Sequence, residues 1–146
     1  MRSLYRLIFK PIFDFLVALI LFSILFLPAL YFSVRIFLQD FSNPFYVPKR
    51  VGKNRKNYSM IKFRSMIVNA DANKVDSTSS SDERITNLGH FIRRFKIDEI
   101  PNLFNILTFK MSFVGPRPNV EREVNLYTEE EMKILRMRPG ITDISS

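Results

Sequence analysis

A run of twenty residues without a charge, Phe15–Val34, dominates the N-terminal part of this 146-residue chain. It reads FLVALILFSILFLPALYFSV. A straight helix of that length covers roughly 30 Å, which is the thickness of the hydrocarbon core of a bilayer. The run is too long for the apolar part of a cleaved signal peptide, and no small-residue cleavage site follows it. The sequence therefore predicts that this segment holds the chain at a membrane.

Two features of the segment favour a helix that enters and leaves the bilayer on the same face. Pro28 lies inside the run, and its missing amide hydrogen and its ring predict a kink or break there. Both flanks are basic, and Lys and Arg beside membrane segments stay on the cytoplasmic side. Hydropathy alone equally allows an ordinary spanning helix with a kink. The flanking basic residues are Arg2, Arg6 and Lys10 before the run, and Arg35, Lys49, Arg50, Lys53, Arg55 and Lys56 after it.

The charge balance and the lack of cysteine narrow the kinds of partner and site. The formal net charge is +8, which favours an anionic partner such as a phosphorylated substrate, acidic lipid or nucleic acid. The membrane segment favours lipid over nucleic acid, so a basic nucleic-acid binder is the weaker alternative. Without cysteine, disulfides and thiolate metal sites are excluded. Any metal needs oxygen ligands or His90, and we interpret this lone histidine first as a surface or packing residue.

Beyond residue 40 the pattern is mostly helical. Tyr58–Phe63 alternates in the manner of a short strand, and the polar stretch Asn69–Ser81 is typical of a flexible surface loop. From Asn87, apolar residues recur every three or four positions, which predicts a helix. A second helix is expected to start near Asp98, with Pro101 in its first turn.

The sequence signals a third helix by its boundaries. Thr128 and Glu131 have the spacing of a capping box, and Pro139-Gly140 closes the segment. We therefore predict a mostly α fold with minor β. Residues 1–40 are expected to form an interfacial and re-entrant membrane helix broken at a proline, and residues 41–146 a small cytoplasmic α/β catalytic domain.

Four short motifs follow one another in this second part. They are Lys62–Met66 (KFRSM), Asp82–Thr86 (DERIT), the adjacent Asp98 and Glu99, and Ser112–Pro118 (SFVGPRP). In this order they resemble the bacterial sugar transferase family, the monotopic phosphoglycosyl transferases that begin capsule, O-antigen, exopolysaccharide and glycoprotein glycan assembly. The resemblance runs from the N-terminal helix to about Thr142.

The resemblance implies transfer of a sugar-1-phosphate from a UDP-sugar to undecaprenyl phosphate at the cytoplasmic face of the bacterial inner membrane. The family's nucleophile, which forms a covalent phosphosugar intermediate, corresponds to Asp98, and the glutamate that helps to hold Mg²⁺ corresponds to Glu99. The family's re-entrant helix broken at a proline favours the hairpin at Pro28 over a spanning helix. The implied substrate-binding residues are Arg93, Arg117, Pro116, Lys62, Arg64 and Arg84.

These residue types suit that chemistry. A carboxylate can attack phosphorus and divide one transfer into two steps. Mg²⁺ bound to a diphosphate takes one or two carboxylates and lets the phosphates supply other ligands, while arginine binds two phosphate oxygens at once. Acidic residues at a helix start are usually caps, but the ordered motifs favour catalysis for Asp98 and Glu99. We expect Asp98 at the helix edge, in non-helical geometry, so that both carboxylates reach one metal–diphosphate unit.

The chain also departs from the family pattern. Leu27 replaces the serine before the membrane proline, Phe109-Lys110 replaces Gly-Asp, and Asp143 follows Thr142 where glycine is frequent. Because the chain stops at Ser146, we expect a C-terminally truncated domain. The alternative to an active enzyme is an inactive membrane-anchored remnant that binds lipid or a partner. A homodimer is compatible with the sequence, which does not fix the oligomeric state.

Overall fold

The computed structural model describes residues 5–70 and 82–143, and in this part helix predominates over strand, as predicted. A π-helical turn, Tyr5–Phe9, leads into the long helix α1, Lys10–Asp40. The other α-helices are α2 (Asn87–Arg94), α3 (Leu103–Leu107), α4 (Glu121–Val124) and α5 (Glu129–Met132). The 3₁₀ turns are Lys53–Arg55, Ile97–Asn102 and Lys133–Arg136.

In the described ranges 5–70 and 82–143, six short strands form three two-stranded sheets. The strands are β1 (Phe45–Tyr46), β2 (Lys49–Val51), β3 (Asn57–Ser59), β4 (Lys62–Phe63), β5 (Ser112–Val114) and β6 (Gly140–Thr142). β1 pairs antiparallel with β4, and β2 pairs antiparallel with β3. β5 and β6 run parallel, with Ser112 opposite Gly140. The sheets are too small to form a layer, so the helices supply most of the packing.

Helix α1 continues without interruption through Pro28. The break predicted at this proline is therefore not confirmed. Proline removes a single amide donor from the ladder, and the turns on either side keep their own hydrogen bonds, so a long helix can pass through it. By length and composition α1 can cross a membrane, and most of its apolar surface is exposed in the protein alone.

One narrow face of α1 packs against the rest of the protein. Its members are spaced three or four residues apart, as one helix face requires. They are Asp14, Ala18, Leu21, Leu25, Ala29, Phe32 and Ile36. The first core cluster includes Ala18 with Leu103 and Ile106 of α3, and the second joins Ile36 to Phe63 and Ile92. Both core clusters of the described part of the chain therefore include residues of α1.

The strand predicted over Tyr58–Phe63 is two strands, β3 and β4, because the chain leaves the ladder between them. The buried side-chain amide of Asn105 lies at this point. With its nitrogen facing the Ser59 carbonyl (3.1 Å) and its oxygen facing the Ile61 amide (3.0 Å), it satisfies both backbone groups. A side chain from α3 thus bonds to the backbone at the point where β3 ends and before β4 begins.

The predicted helix at Asn87 is confirmed, and the structure near Asp98 is more complex than expected. α2 ends at Arg94, and Lys96 adopts a left-handed conformation with φ of 58°. A 3₁₀ segment, Ile97–Asn102, follows and precedes α3. Asp98 therefore lies inside a helical turn, and the expectation of non-helical geometry was wrong. Because the left-handed Lys96 already reverses the chain, Asp98 can keep helical backbone angles.

The capping box is present as predicted. Thr128 Oγ1 accepts from the Glu131 amide, and the Glu131 carboxylate accepts from the Thr128 amide at 2.7 Å. The helical segment ends at Arg136, before Pro139, and Gly140 begins β6. Of the predicted loop Asn69–Ser81, residues 71–81 lie outside the described residues.

Candidate functional site

The first member of the site, Asp98, is a buried acid with 9% of its surface exposed. Its Oδ1 atom is buried and has no hydrogen-bond partner within the described structure. Burial raises the pKa of the Asp98 carboxyl, and the nearby Glu99 charge raises it further. The positive charges of Lys62, Arg93 and Lys96 act in the opposite direction. A desolvated carboxyl next to cations is typical of functional sites.

Glu99, the next residue, points to a lysine from another element. Lys62 Nζ on β4 donates to Glu99 Oε1 at 2.9 Å, and both side chains are 23% exposed. Strand β4 is held in place by antiparallel pairing with β1, opposite Tyr46. The KFRSM motif and the Asp-Glu pair therefore meet in space, although they are 37 residues apart.

Arg93 reaches the site from the last turn of α2. Its Nε donates to Ser65 Oγ at 2.7 Å, which ties the arginine to the KFRSM segment. The helix lies against that segment because Gly89 faces the Ser65 carbonyl. A Cβ at Gly89 would approach this oxygen to 1.9 Å, so glycine is required for the close packing. The guanidinium is thereby held near Asp98.

The residues at the site fit a magnesium ion bound together with a diphosphate. Hard cations such as Mg²⁺ take carboxylate oxygens, and the partnerless Oδ1 of Asp98 and the Lys62-paired Glu99 are adjacent. In residues 5–70 and 82–143 no cluster of three or more acidic or histidine side chains could form a complete metal cage. The phosphates and water would have to supply the remaining ligands, which is usual for Mg²⁺.

Two predicted substrate residues, Pro116 and Arg117, lie elsewhere. They line a small cleft with Gly52, Asn119 and Tyr127, and neither Asp98 nor Glu99 lines it. The turn that carries them is fixed by Gly115 and Gly140, whose backbones meet so closely that a Cβ at either one would lie within 2.3 Å of backbone atoms. The structure therefore does not place Arg117 beside the carboxylates.

The other two predicted arginines are bound to neighbouring carboxylates. Arg64 pairs with Asp40 at the end of α1 at 2.6 Å. Arg84 pairs with Asp82 at 2.6 Å and donates to the Ala70 carbonyl. Hydrogen bonds from Arg84 lower the pKa of the Asp82 carboxyl to about 2. Arg64 thus contacts the last residue of α1 and Arg84 the backbone at Ala70, and a phosphate contact of either arginine stays a prediction.

The sequence analysis missed a buried ionic cluster in the first turns of α1. Asp14 is 5% exposed, and its Oδ2 accepts from Lys10 Nζ at 2.8 Å and from Ser112 Oγ at 2.6 Å. Lys10 Nζ also contacts Ser112 Oγ. This cluster fastens α1 to the strand that leads into Gly115–Pro118. The sequence does contain a signal for this cluster, because Lys10 and Asp14 are four residues apart and lie beside an apolar run. A carboxylate buried next to such a run needs a partner.

The long exposed apolar helix indicates a membrane-associated protein, and the two adjacent carboxylates beside lysine and arginine form its candidate site. The sequence model of the family described as bacterial sugar transferase matches residues 5–146. The chain belongs to the bacterial sugar transferase family.

Three curated relatives are similar to most of this chain. The UDP-galactose-lipid carrier transferase of Erwinia amylovora is 34% identical over 150 residues, covering 92% of this chain and 31% of that protein. The exopolysaccharide production protein ExoY of Rhizobium meliloti is 36% identical, covering 97% and 62%. The putative undecaprenyl-phosphate N-acetylgalactosaminyl 1-phosphate transferase of Bacillus subtilis is 41% identical, covering 76% and 58%. This chain thus spans between 31% and 62% of the length of these three relatives.

Proposed function

We propose that this protein transfers a sugar-1-phosphate from a UDP-sugar to undecaprenyl phosphate at the cytoplasmic face of the bacterial inner membrane. The observation that carries the proposal is Asp98, a buried carboxylate with a partnerless oxygen, next to Glu99 and near Lys62 and Arg93. The names of relatives that act on undecaprenyl phosphate support the lipid acceptor. The reaction would start exopolysaccharide, capsule or related glycan assembly.

In the first step, an Asp98 carboxylate oxygen attacks the phosphorus bonded to the sugar. A bond forms between this oxygen and phosphorus, and the bond from phosphorus to the oxygen of UMP breaks, so UMP leaves. Burial strips water from the nucleophile, while Lys62 and Arg93 favour its ionised form. Arg93 is also placed to contact a phosphate oxygen, since its guanidinium has several donors and only Nε is used by Ser65 in the hydrogen bond described above.

In the second step, a phosphate oxygen of the lipid attacks the same phosphorus. The acyl-phosphate bond breaks, and the Asp98 carboxylate is restored. Two sequential displacements let the same carboxylate serve once as nucleophile and once as leaving group. The product is a lipid diphosphate sugar.

Magnesium would be held by Glu99, with Asp98 beside it, and would neutralise charge on the diphosphate. In the protein alone, the Lys62 ammonium contacts Glu99 and supplies part of the positive charge that the metal would bring. Lys62 would then turn to the substrate phosphates when Glu99 takes up its ligand role. Contacts of Arg117, Arg64 and Arg84 with the nucleotide belong to the same proposal.

The packing of α1 supports a placement in which the helix does not cross the bilayer. Its packed face extends from Asp14 to Ile36, which is about 33 Å along a helix. A spanning helix would carry these contacts, and the polar segments that make them, through the whole hydrocarbon core of about 30 Å. A re-entrant or oblique helix keeps Asp98 at the depth of the lipid phosphates.

The proposal is tested with membranes that contain this chain, incubated with radiolabelled UDP-sugars, Mg²⁺ and undecaprenyl phosphate. Labelled lipid is expected, together with UMP. Asp98→Asn should abolish the transfer, and Glu130→Gln, at an exposed carboxylate of α5, should not change it.

The half-reaction separates the nucleophile from other roles of Asp98. Without lipid acceptor, the unmodified chain should release at most one UMP per protein and retain the label covalently. Labelled lipid formed at the normal rate by Asp98→Asn would refute the assignment. A chain that binds membranes but forms no product with any UDP-sugar would favour the remnant that only binds lipid or a partner.

A further inference from the structure

A cleft of about 260 Å³ lies between the C-terminal part of α1 and helix α2. It is distinct from the carboxylate site. Its lining consists of Tyr31, Phe32, Arg35, Leu88 and Phe91. Four of these five side chains are aromatic or aliphatic, and one carries a positive charge. The volume is below the range of about 300–1,000 Å³ usual for drug-sized ligands, so it suits a segment of a longer molecule.

Aromatic rings form the apolar part of the cleft. Phe32 and Phe91 stack with ring centroids 6.2 Å apart, and Tyr31 meets Phe32 edge to face at 5.3 Å. Tyr31 and Phe91 nevertheless remain 56% and 48% exposed. These contacts hold the rings in place while leaving an apolar surface open.

The charged member, Arg35, has room for an external anion. Its contacts in the structure are both with Tyr31: the guanidinium carbon lies 5.9 Å from the ring centroid, and Nη1 lies 3.4 Å from the hydroxyl. Within residues 5–70 and 82–143, no carboxylate forms an ion pair with Arg35. An exposed guanidinium with free donors is a ready partner for phosphate oxygens.

We propose that this cleft binds the head end of a prenyl phosphate, with the phosphate at Arg35 and the first isoprene units over the Phe32–Phe91 pair. The inference rests on the proposed function and names a binding site for its lipid substrate. The occupant follows from two observations: the apolar floor with a cation at its edge, and the position of the cleft on the membrane helix. The exposed residues Leu30 and Val34 continue the apolar surface of α1 beside it. A lipid therefore enters sideways from the bilayer without crossing water.

The cleft also lies near the reacting carboxylate. Phe32 and Leu88 form its inner wall and pack on the second core cluster, and Ile97 and Ile100 pack on the same cluster. These two isoleucines flank Asp98 and Glu99 in sequence. The cleft and the segment that carries the carboxylates thus pack on the same core cluster, which suits a holding site for the acceptor.

Measuring the two half-reactions separately distinguishes a loss of lipid binding at the cleft from a loss of the first chemical step. The protein in nanodiscs is given a UDP-sugar and Mg²⁺, and UMP release is measured first without acceptor and then with increasing prenyl phosphate. In Arg35→Gln the release without acceptor is expected to be unchanged, while KM for the prenyl phosphate rises about tenfold or more, as for a lost charge-assisted contact. Leu88→Trp, which fills the cleft, should act in the same direction.

Arg94→Gln is the matched control. The Arg94 guanidinium lies 5.8 Å from the Phe95 ring, an arrangement like that of Arg35 over Tyr31, but Arg94 does not line the cleft. Its KM for the lipid should stay within about twofold of the parent. Unchanged KM values in both Arg35→Gln and Leu88→Trp, with normal thermal unfolding, would overturn the inference.

A third measurement distinguishes failure of the site from failure of the proposed function. If the unmodified chain releases no UMP, the proposed function fails, and the cleft is then tested by a prenyl phosphate bearing a diazirine. Crosslinks within residues 31–35 or 88–91 that are lost in Arg35→Gln support the site, and their absence overturns it. Equal competition by phosphatidylglycerol would show a general anionic-lipid site and overturn the assignment to prenyl phosphate.

Discussion

Asp98 occupies a position that costs the folded chain stability. A carboxyl group removed from water, with one oxygen left without a partner, is less easily ionised than in the unfolded chain. The neighbouring Lys62 and Arg93 offset part of this effect. The adjacent acid pair was visible in the sequence, but its burial was not, because burial is decided by which segments pack over it. Side chains at reacting centres are frequently placed at such a cost.

Asp98→Asn is therefore expected to raise the stability of the protein at neutral pH while removing transfer. Burial raises the pKa of Asp98 in the folded state, so the stability linked to this group is present below the unfolded pKa. It is lost as the pH rises through the folded pKa. Asparagine has no charge to desolvate. Thermal unfolding in detergent with EDTA should show a higher midpoint for Asp98→Asn at pH 7, and this difference should shrink as the pH falls below about 4. A lower midpoint at pH 7 would contradict this account.

Gly89 is the second residue whose environment decides what can replace it. In Gly89→Ala, the new methyl group would approach the Ser65 carbonyl oxygen to 1.9 Å, so α2 must move away from the KFRSM segment. We expect a loss of about 2–3 kcal/mol in the free energy of unfolding. Chemical denaturation measures it, with Gly52→Ala as control, where the nearest atom is a Tyr58 ring carbon at 3.0 Å. An equal loss in the two variants would mean that the close approach is unimportant.

At the scale of helices and strands, the most accurate predictions were those that depend on residues close together in the sequence. The capping box at Thr128 and the apolar spacing from Asn87 were sufficient because both depend on residues within one or two turns. The packed face of α1 was hidden, since a helix that is apolar all round shows no preferred side. The strand at Tyr58–Phe63 was predicted as one piece because the amide that interrupts it, Asn105, comes from a distant helix.

The ionic cluster of α1 gives a prediction at this scale. Lys10→Met removes the lysine from the buried Asp14 carboxylate and leaves Ser112 Oγ as its donor in the cluster. Breaking a fully buried pair costs about 3–5 kcal/mol, and we expect a smaller loss in the free energy of unfolding here because Lys10 is 30% exposed. The double variant Lys10→Met with Asp14→Leu removes both charges and should be less destabilised than Lys10→Met alone. Thermal unfolding in one detergent compares them. Additive losses in the double variant would show that the two side chains do not depend on each other.

At the scale of the whole molecule, α1 is part of the fold as well as a membrane element. Ala18 and Ile36, the residues of α1 that are most buried, belong to different core clusters. The sequence placed a domain boundary at residue 40, where the hydropathy changes, and that division stays a prediction. The structure brings Asp98, Glu99, Lys62 and Arg93 together, and their roles in a site stay a prediction. Arg117 lines a different cleft, and the sequence could not indicate this because a motif does not show where its loop projects.

We predict that a chain of residues 41–146 alone does not unfold cooperatively. Without α1, the cores lose Ala18 and Ile36 and expose the side chains that covered them. Thermal unfolding should become broad, and a dye that binds exposed apolar surface should fluoresce before heating. A sharp transition in this shortened chain, with no dye binding, would show that the remainder folds independently.

The contact of Asp14 with Ser112 joins residues 98 positions apart and has a consequence for biosynthesis. At about 5–20 residues per second, the ribosome adds Ser112 roughly 5–20 s after Asp14. During that interval the nascent helix carries a lysine and a carboxylate without their hydroxyl partner, so we expect these groups to stay hydrated at the water–lipid boundary. On this account the helix takes its final position only after the later half of the chain has been made.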